Sequence, residues 1–123
     1  MGRFDRLTQL RDTFLDAEKE YLDELRQTGK YEEVIATLNE MDIDTIQAMV
    51  LEKITSIERG EVPEERLSRV EGEVIVMLAS LEGMDINDEW FKRETDRLIK
   101  LEEQAAAARK AKKESGEMAV EPR

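Results

Sequence analysis

The chain has 123 residues, about one domain's worth, with 19 basic and 30 acidic side chains and a net charge of -11. It contains neither cysteine nor histidine, which excludes a disulfide framework, a zinc knuckle, a thiol nucleophile, a Ser-His-Asp triad and an imidazole general base. Two prolines and six glycines amid frequent Leu, Ile, Glu, Ala, Lys and Arg make helix-forming composition, and no stretch keeps a period of two, so the chain reads as all-α.

Met1 leads into Gly2, Arg3, Phe4 and Asp5 with no apolar stretch behind them, and every later apolar run is short and broken by charge. Neither a signal peptide nor a membrane span is expected, and the expected location is cytoplasmic. Leu7, Leu10, Phe14, Ala17, Tyr21 and Leu25 then recur at steps of three or four, a stripe that Phe4 extends backwards and Gly29 closes. The spacing predicts one long N-terminal helix over 4 to 28, about 37 Å long. Tyr31, Val34, Ile35 and Leu38 predict a short second helix ending near Met41, too short to stand alone and therefore docked on its neighbours.

Asp42 or Asp44 offers an N-cap to a third helix carrying Ile43, Ile46, Met49, Val50, Ile54 and Ile57 up to Gly60. Pro63 opens a fourth, with Glu64 and Glu65 at the positive end of its dipole and Leu67, Val70, Val74, Met77, Leu78 and Leu81 along one face before Gly83. The last helix starts between Asp85 and Asp88, carries Ile86, Trp90, Phe91, Leu98 and Leu101, and fades through Ala105 to Ala108. About five helices in residues 1-104 form the expected bundle domain, and 105-123 read as a fraying helix followed by a flexible, partly disordered, charged tail.

Met41-Asp42-Ile43-Asp44 is echoed by Met84-Asp85-Ile86-Asn87 at a spacing of 43. The echo reads either as an old duplication or as one recurrent way to join two helices, and in both cases it predicts similar capping at the two junctions.

Charge is unevenly spread. Residues 12 to 58 hold thirteen acidic and four basic side chains, whereas 105 to 123 hold five basic and three acidic. Asp12, Asp16 and Glu20 recur every four residues and, with Asp23 and Glu24, form an acidic stripe on the predicted first helix. Such a stripe is either a solvated face or a surface that stands in for nucleic-acid phosphate before a basic partner. Direct nucleic-acid binding by it is disfavoured, since carboxylates and phosphates repel. The tail cluster Arg109, Lys110, Lys112 and Lys113 lacks interleaved aromatics and reads as a solvating end or as a counterpart for the acidic half of another copy.

Carboxylate-held metal chemistry would need acidic pairs on facing helices. The candidates are Glu20 with Glu24, Glu32 with Glu33 and Glu94 with Asp96, none beside a basic cluster that would grip phosphate. No catalytic residue, cofactor or metal is therefore expected. Trp90 and Phe91 are sequence neighbours and point about 100° apart on a helix, so both cannot face one narrow core stripe. Leu15 and Leu22 lie off the stripe of the first helix, and that helix, about 25 residues long, outreaches its shorter neighbours, so something must cover its excess. The sequence reading is thus a non-catalytic adaptor or assembly protein that self-associates or docks on a protein partner through Phe4, Leu15, Leu22, Trp90 and Phe91. The alternative is an acidic nucleic-acid mimic acting through Asp12, Asp16, Glu20, Asp23 and Glu24.

Overall fold

The computed structural model describes residues 2–120, with side chains for residues 2–111. Six helices follow one another: α1 (Arg3–Thr13), α2 (Ala17–Gln27), α3 (Tyr31–Glu40), α4 (Ile43–Glu58), α5 (Glu64–Glu82) and α6 (Asp88–Val120). No strand occurs among the described residues. The all-α reading holds, but the single long N-terminal helix does not.

That helix is broken at Phe14, whose φ of -114° and ψ of 60° leave the helical region. The stripe itself survives the break: Leu7, Leu10, Phe14, Ala17, Tyr21 and Leu25 are all buried. Two local features favour the interruption. Thr13 turns its hydroxyl back to the Gln9 carbonyl at 2.9 Å, a bond that bends helices. Asp16 becomes the N-cap position of α2, with Glu18 and Glu20 in the first turn, so three carboxylates meet the positive end of a new dipole. Arg11 then clasps Glu18 across the corner with two bonds of 2.9 and 3.0 Å.

The tertiary reason is that the two halves have different neighbours. α1 lies against α5 and α6, while α2 lies along α5 and touches α3. At Gly72 of α5 a Cβ would stand 2.3 Å from the Ala17 carbonyl oxygen and 2.7 Å from Tyr21 Cβ. α2 is thus drawn in until backbone nearly meets backbone, a path that a straight continuation of α1 would not take.

α4 packs on α5 and α6. With α1, these form the central layer, whose core is Leu7, Leu10, Ile46, Val50, Ile54, Val74, Ile75, Leu78, Leu81, Phe91 and Leu98. Gly29 and Gly60 adopt φ of 73° and 69°, the left-handed backbone that lets α2 and α4 end within one residue of a reversal. α3 contributes one buried side chain, Leu38, and rests on α2 and α5 as a short covering helix.

α6 runs as one helix from Asp88 to Val120, so the stretch 105–120 has helical backbone. The remaining expected tail residues, 121–123, lie outside the described residues.

Candidate functional site

The outward side of α1 presents Phe4, Asp5, Thr8, Gln9 and Asp12, and the α1–α2 corner adds Leu15 and Asp16, all exposed. Phe4 is 66% exposed and Leu15 76%, and among the described residues they are the large hydrophobics left in water. Phe4 therefore does not extend the buried stripe. The cause is positional: Arg3, one residue earlier, turns inward, donating to the Met84 carbonyl at 2.6 Å and pairing with Asp88 at 3.0 Å. Arg6, two residues later, reaches Thr95 and Asp96 of α6. The polar neighbours take the inner side of the first turn, and the ring is left outside.

The other three expected contact residues are placed differently. Leu22 is half-buried and lines a cleft of about 260 Å³ between α2, α3 and α5, together with Tyr31, Ile35, Leu38 and Val76. Trp90 is half-buried against the core. Phe91 is completely buried. Of the two adjacent rings, Trp90 is the one that leaves the core stripe, and the Phe91 ring is beyond a partner's reach in the folded chain.

The acidic stripe is divided by the break and largely engaged. Asp12 is on α1, whereas Glu20, Asp23 and Glu24 belong to α2. Glu20 accepts from the Ser68 hydroxyl at 2.7 Å, and Glu24 accepts from Arg69 Nε at 2.8 Å. Asp23 stands 3.6 Å from Arg26. Arg69 also reaches Glu73 at 2.5 Å, and Lys53 of α4 reaches the same carboxylate at 3.1 Å. A ladder of alternating charge thus ties α2, α5 and α4 together.

A second polar group sits deeper, on α6. Glu94 is 1% exposed and Thr95 fully buried. Glu94 accepts from Arg93 Nε at 3.0 Å and from Arg97 Nη1 at 2.5 Å, and Arg97 continues to Glu58 of α4, Nε to Oε2 at 3.1 Å. The Arg97 hydrogen bond holds the Glu58 carboxyl below its ordinary range and raises the Arg97 guanidinium in turn. No buried side-chain polar atom among the described residues lacks a partner. Sequence reading missed this network, although Glu94 lies three residues after Phe91 and four before Leu98, inside the apolar stripe. A charged residue at a core register is the signal that could have found it.

Glu71 of α5 is the most perturbed carboxyl. Burial chiefly, and then the charge of Glu102, raise it to about 7, against a lowering pull from Arg109. The two echoed junctions come together: Asp42, Ile43, Asp44, Gln47, Asp85, Ile86 and Asn87 line one cleft of about 490 Å³. Their caps are alike in chemistry but not in register. The Asp42 carboxylate accepts from Thr45 N at 2.7 Å, and Asn87 accepts from Trp90 N at 3.1 Å. In the echo Asn87 aligns with Asp44, so the second helix starts two residues later than matching junctions would have it. The expected similarity of capping is correct for the type of cap and wrong for its position.

Among the described residues no three His, Cys, Asp or Glu side chains are gathered to hold a metal ion. No described helix is long and apolar enough to cross a membrane.

Among the described residues, fold and surface together define a six-helix all-α bundle with satisfied buried polar groups and two exposed large hydrophobics, Phe4 and Leu15, on its N-terminal segment. Comparison of the chain with protein-family models, with curated proteins and with solved structures gives no match in any of the three.

Proposed function

We propose that the protein is a non-catalytic, cytoplasmic adaptor or assembly protein that works through protein-protein contacts and associates with itself. The observation that carries this reading is the exposure of Phe4 and Leu15 on one outward run of α1 and its corner. Single exposed hydrophobics are ordinary on any protein surface. Here, however, both belong to the segment whose other apolar side chains, Leu7, Leu10 and Phe14, are buried, and aromatic side chains are enriched at interface centres.

The test is absolute mass by light scattering after size exclusion, at low and high salt, for the parent chain and for Phe4→Ser with Leu15→Ser. A multimer that persists in salt and falls to monomer in the double variant supports the reading. A multimer indifferent to both substitutions defeats it. The acidic-mimic alternative draws less support from the geometry, because Glu20, Asp23 and Glu24 already have partners within the chain. It would require a basic partner whose binding weakens steeply with salt and is lost when Asp12, Asp16 and Glu20 become Lys.

A further inference from the structure

Charge changes sign along α6. Its approach and first turn carry Asp85, Asp88 and Glu89, and the stretch that follows carries Lys92, Arg93, Arg97 and Lys100. Those four cations, with Glu89 and Asp96, line an open cleft of about 510 Å³ along the helix. The two carboxylates do not balance it, since Asp96 is already engaged by Arg6 of α1. Arg93 and Arg97 are partly spent on Glu94 and Glu58. Lys92 and Lys100 are exposed and form no ion pair among the described residues, which leaves a basic face on a chain of net charge -11.

The complement to this cleft lies on the same chain. α4 and α6 run side by side in one direction: their starts share the cleft of about 490 Å³, and Arg97 of α6 reaches Thr55 and Glu58 near the end of α4. Their common start therefore gathers Asp42, Asp44 and Asp85 with no cation among them. Asp42 caps α4, whereas Asp44 and Asp85 are exposed and form no ion pair among the described residues. The half-buried Ile43 and Ile86 line the cleft with them, and hydrocarbon beside carboxylate suits a lysine, whose stem packs on the one while its ammonium meets the other.

We propose that the basic cleft of α6 receives the acidic α4–α6 start of a second copy, and that the acidic start of the first copy is received in return across a two-fold axis. Two α6 helices laid antiparallel bring the acidic start of each to the basic stretch of the other, which is the self-complementarity such an axis requires. A nucleic acid fits the face less well, because a strand following the cations along α6 would run onto Glu89, Asp88 and Asp85. Two copies repel as whole bodies, but at about 0.1 M salt the Debye length is about 10 Å, so that distant repulsion is screened while facing pairs in contact are not. The inference rests on the self-association proposed above and places part of it on residues other than Phe4 and Leu15.

The experiment is absolute mass by light scattering at about 0.1 M and about 1 M salt. It compares the parent, Lys92→Glu with Lys100→Glu, Asp44→Lys with Asp85→Lys, and an equimolar mixture of the two variants. The parent should be heavier at the lower salt. Each variant alone should fall, at that salt, to the mass the parent keeps at the higher one, and the mixture should recover the parent's mass, because a reversed acidic start then meets a reversed basic cleft. A parent mass indifferent to salt, a variant that associates as the parent does, or a mixture that recovers nothing overturns the proposal. Mass that persists at 1 M salt belongs to the Phe4 and Leu15 contact, so either contact can fail while the other stands. A labelled single-stranded oligonucleotide that binds the parent and not Lys92→Glu with Lys100→Glu would give the cleft to nucleic acid and overturn the proposal as well. Should circular dichroism show that Asp44→Lys with Asp85→Lys is unfolded, Asp44→Asn with Asp85→Asn replaces it: a lower mass than the parent's at 0.1 M is expected, and an equal mass is a negative result.

Discussion

At Gly72 a single missing methyl decides how closely two helices approach. The Ala17 carbonyl occupies the space a Cβ would need, and backbone cannot rotate out of the way as a side chain can. Gly72→Ala is expected to cost about 2 kcal/mol, in the range for overpacking, with a lower midpoint in chemical denaturation. Glu71 poses the opposite problem, a side chain whose charge is unwelcome. Its folded carboxyl is raised above the ordinary value, so the native state holds the proton more tightly than the unfolded chain. Its stabilising contribution is whole below the unfolded value and is lost as pH rises through about 7. Glu71→Gln should therefore be more stable than the parent in denaturation at about pH 8, and the gap should close at about pH 5. Neither residue was conspicuous in the sequence. Gly72 looks like a weak point in a helix and Glu71 like one of thirty acids, because close approach and desolvation are properties of the neighbours.

At the scale of elements, caps and breaks were legible to different degrees. The Gly60 and Pro63 pair and the stop at Gly83 marked α4, α5 and the start of α6 within a few residues, since these signals act locally on backbone dihedrals. The α1–α2 corner escaped because its apolar period continues across it: Phe14 and Ala17 stay buried on both sides, and periodicity reports burial and not continuity. The Asp16 cap followed by two acids was the local sign of a new helix. Caps here have measurable weight. Asn87→Ala removes the side-chain acceptor for Trp90 N and should lower stability by about 1 kcal/mol, read as a shift of the denaturation midpoint. α6 was underestimated for another reason: its distal half is rich in Ala, Glu, Lys and Arg, strong helix formers that need no core to favour the helical state.

For the whole molecule, the break in the N-terminal element gives its two halves different neighbours. The first half covers α5 and α6, the second covers α5, and the corner between them carries Leu15 into solvent. If that corner and Phe4 serve association, replacing both with Ser should reduce oligomer mass while leaving the monomer's unfolding midpoint within about 0.5 kcal/mol, because neither side chain contributes to the core. The five residues expected at an interface were separated by the fold into two open, two half-covered and one wholly buried. The acidic stripe was likewise dispersed, with Glu20 and Glu24 committed to Ser68 and Arg69. By itself the sequence determined that the chain is all-α, where most helices stop and which face of each is apolar, since propensity, capping and periodicity act over a few neighbouring residues. Only the tertiary structure decided where the first helix breaks, which charges are spent internally and which apolar side chains remain outside. Those outcomes depend on residues such as Gly72, Ser68 and Arg69, some fifty positions away in the chain and adjacent only once α5 has packed.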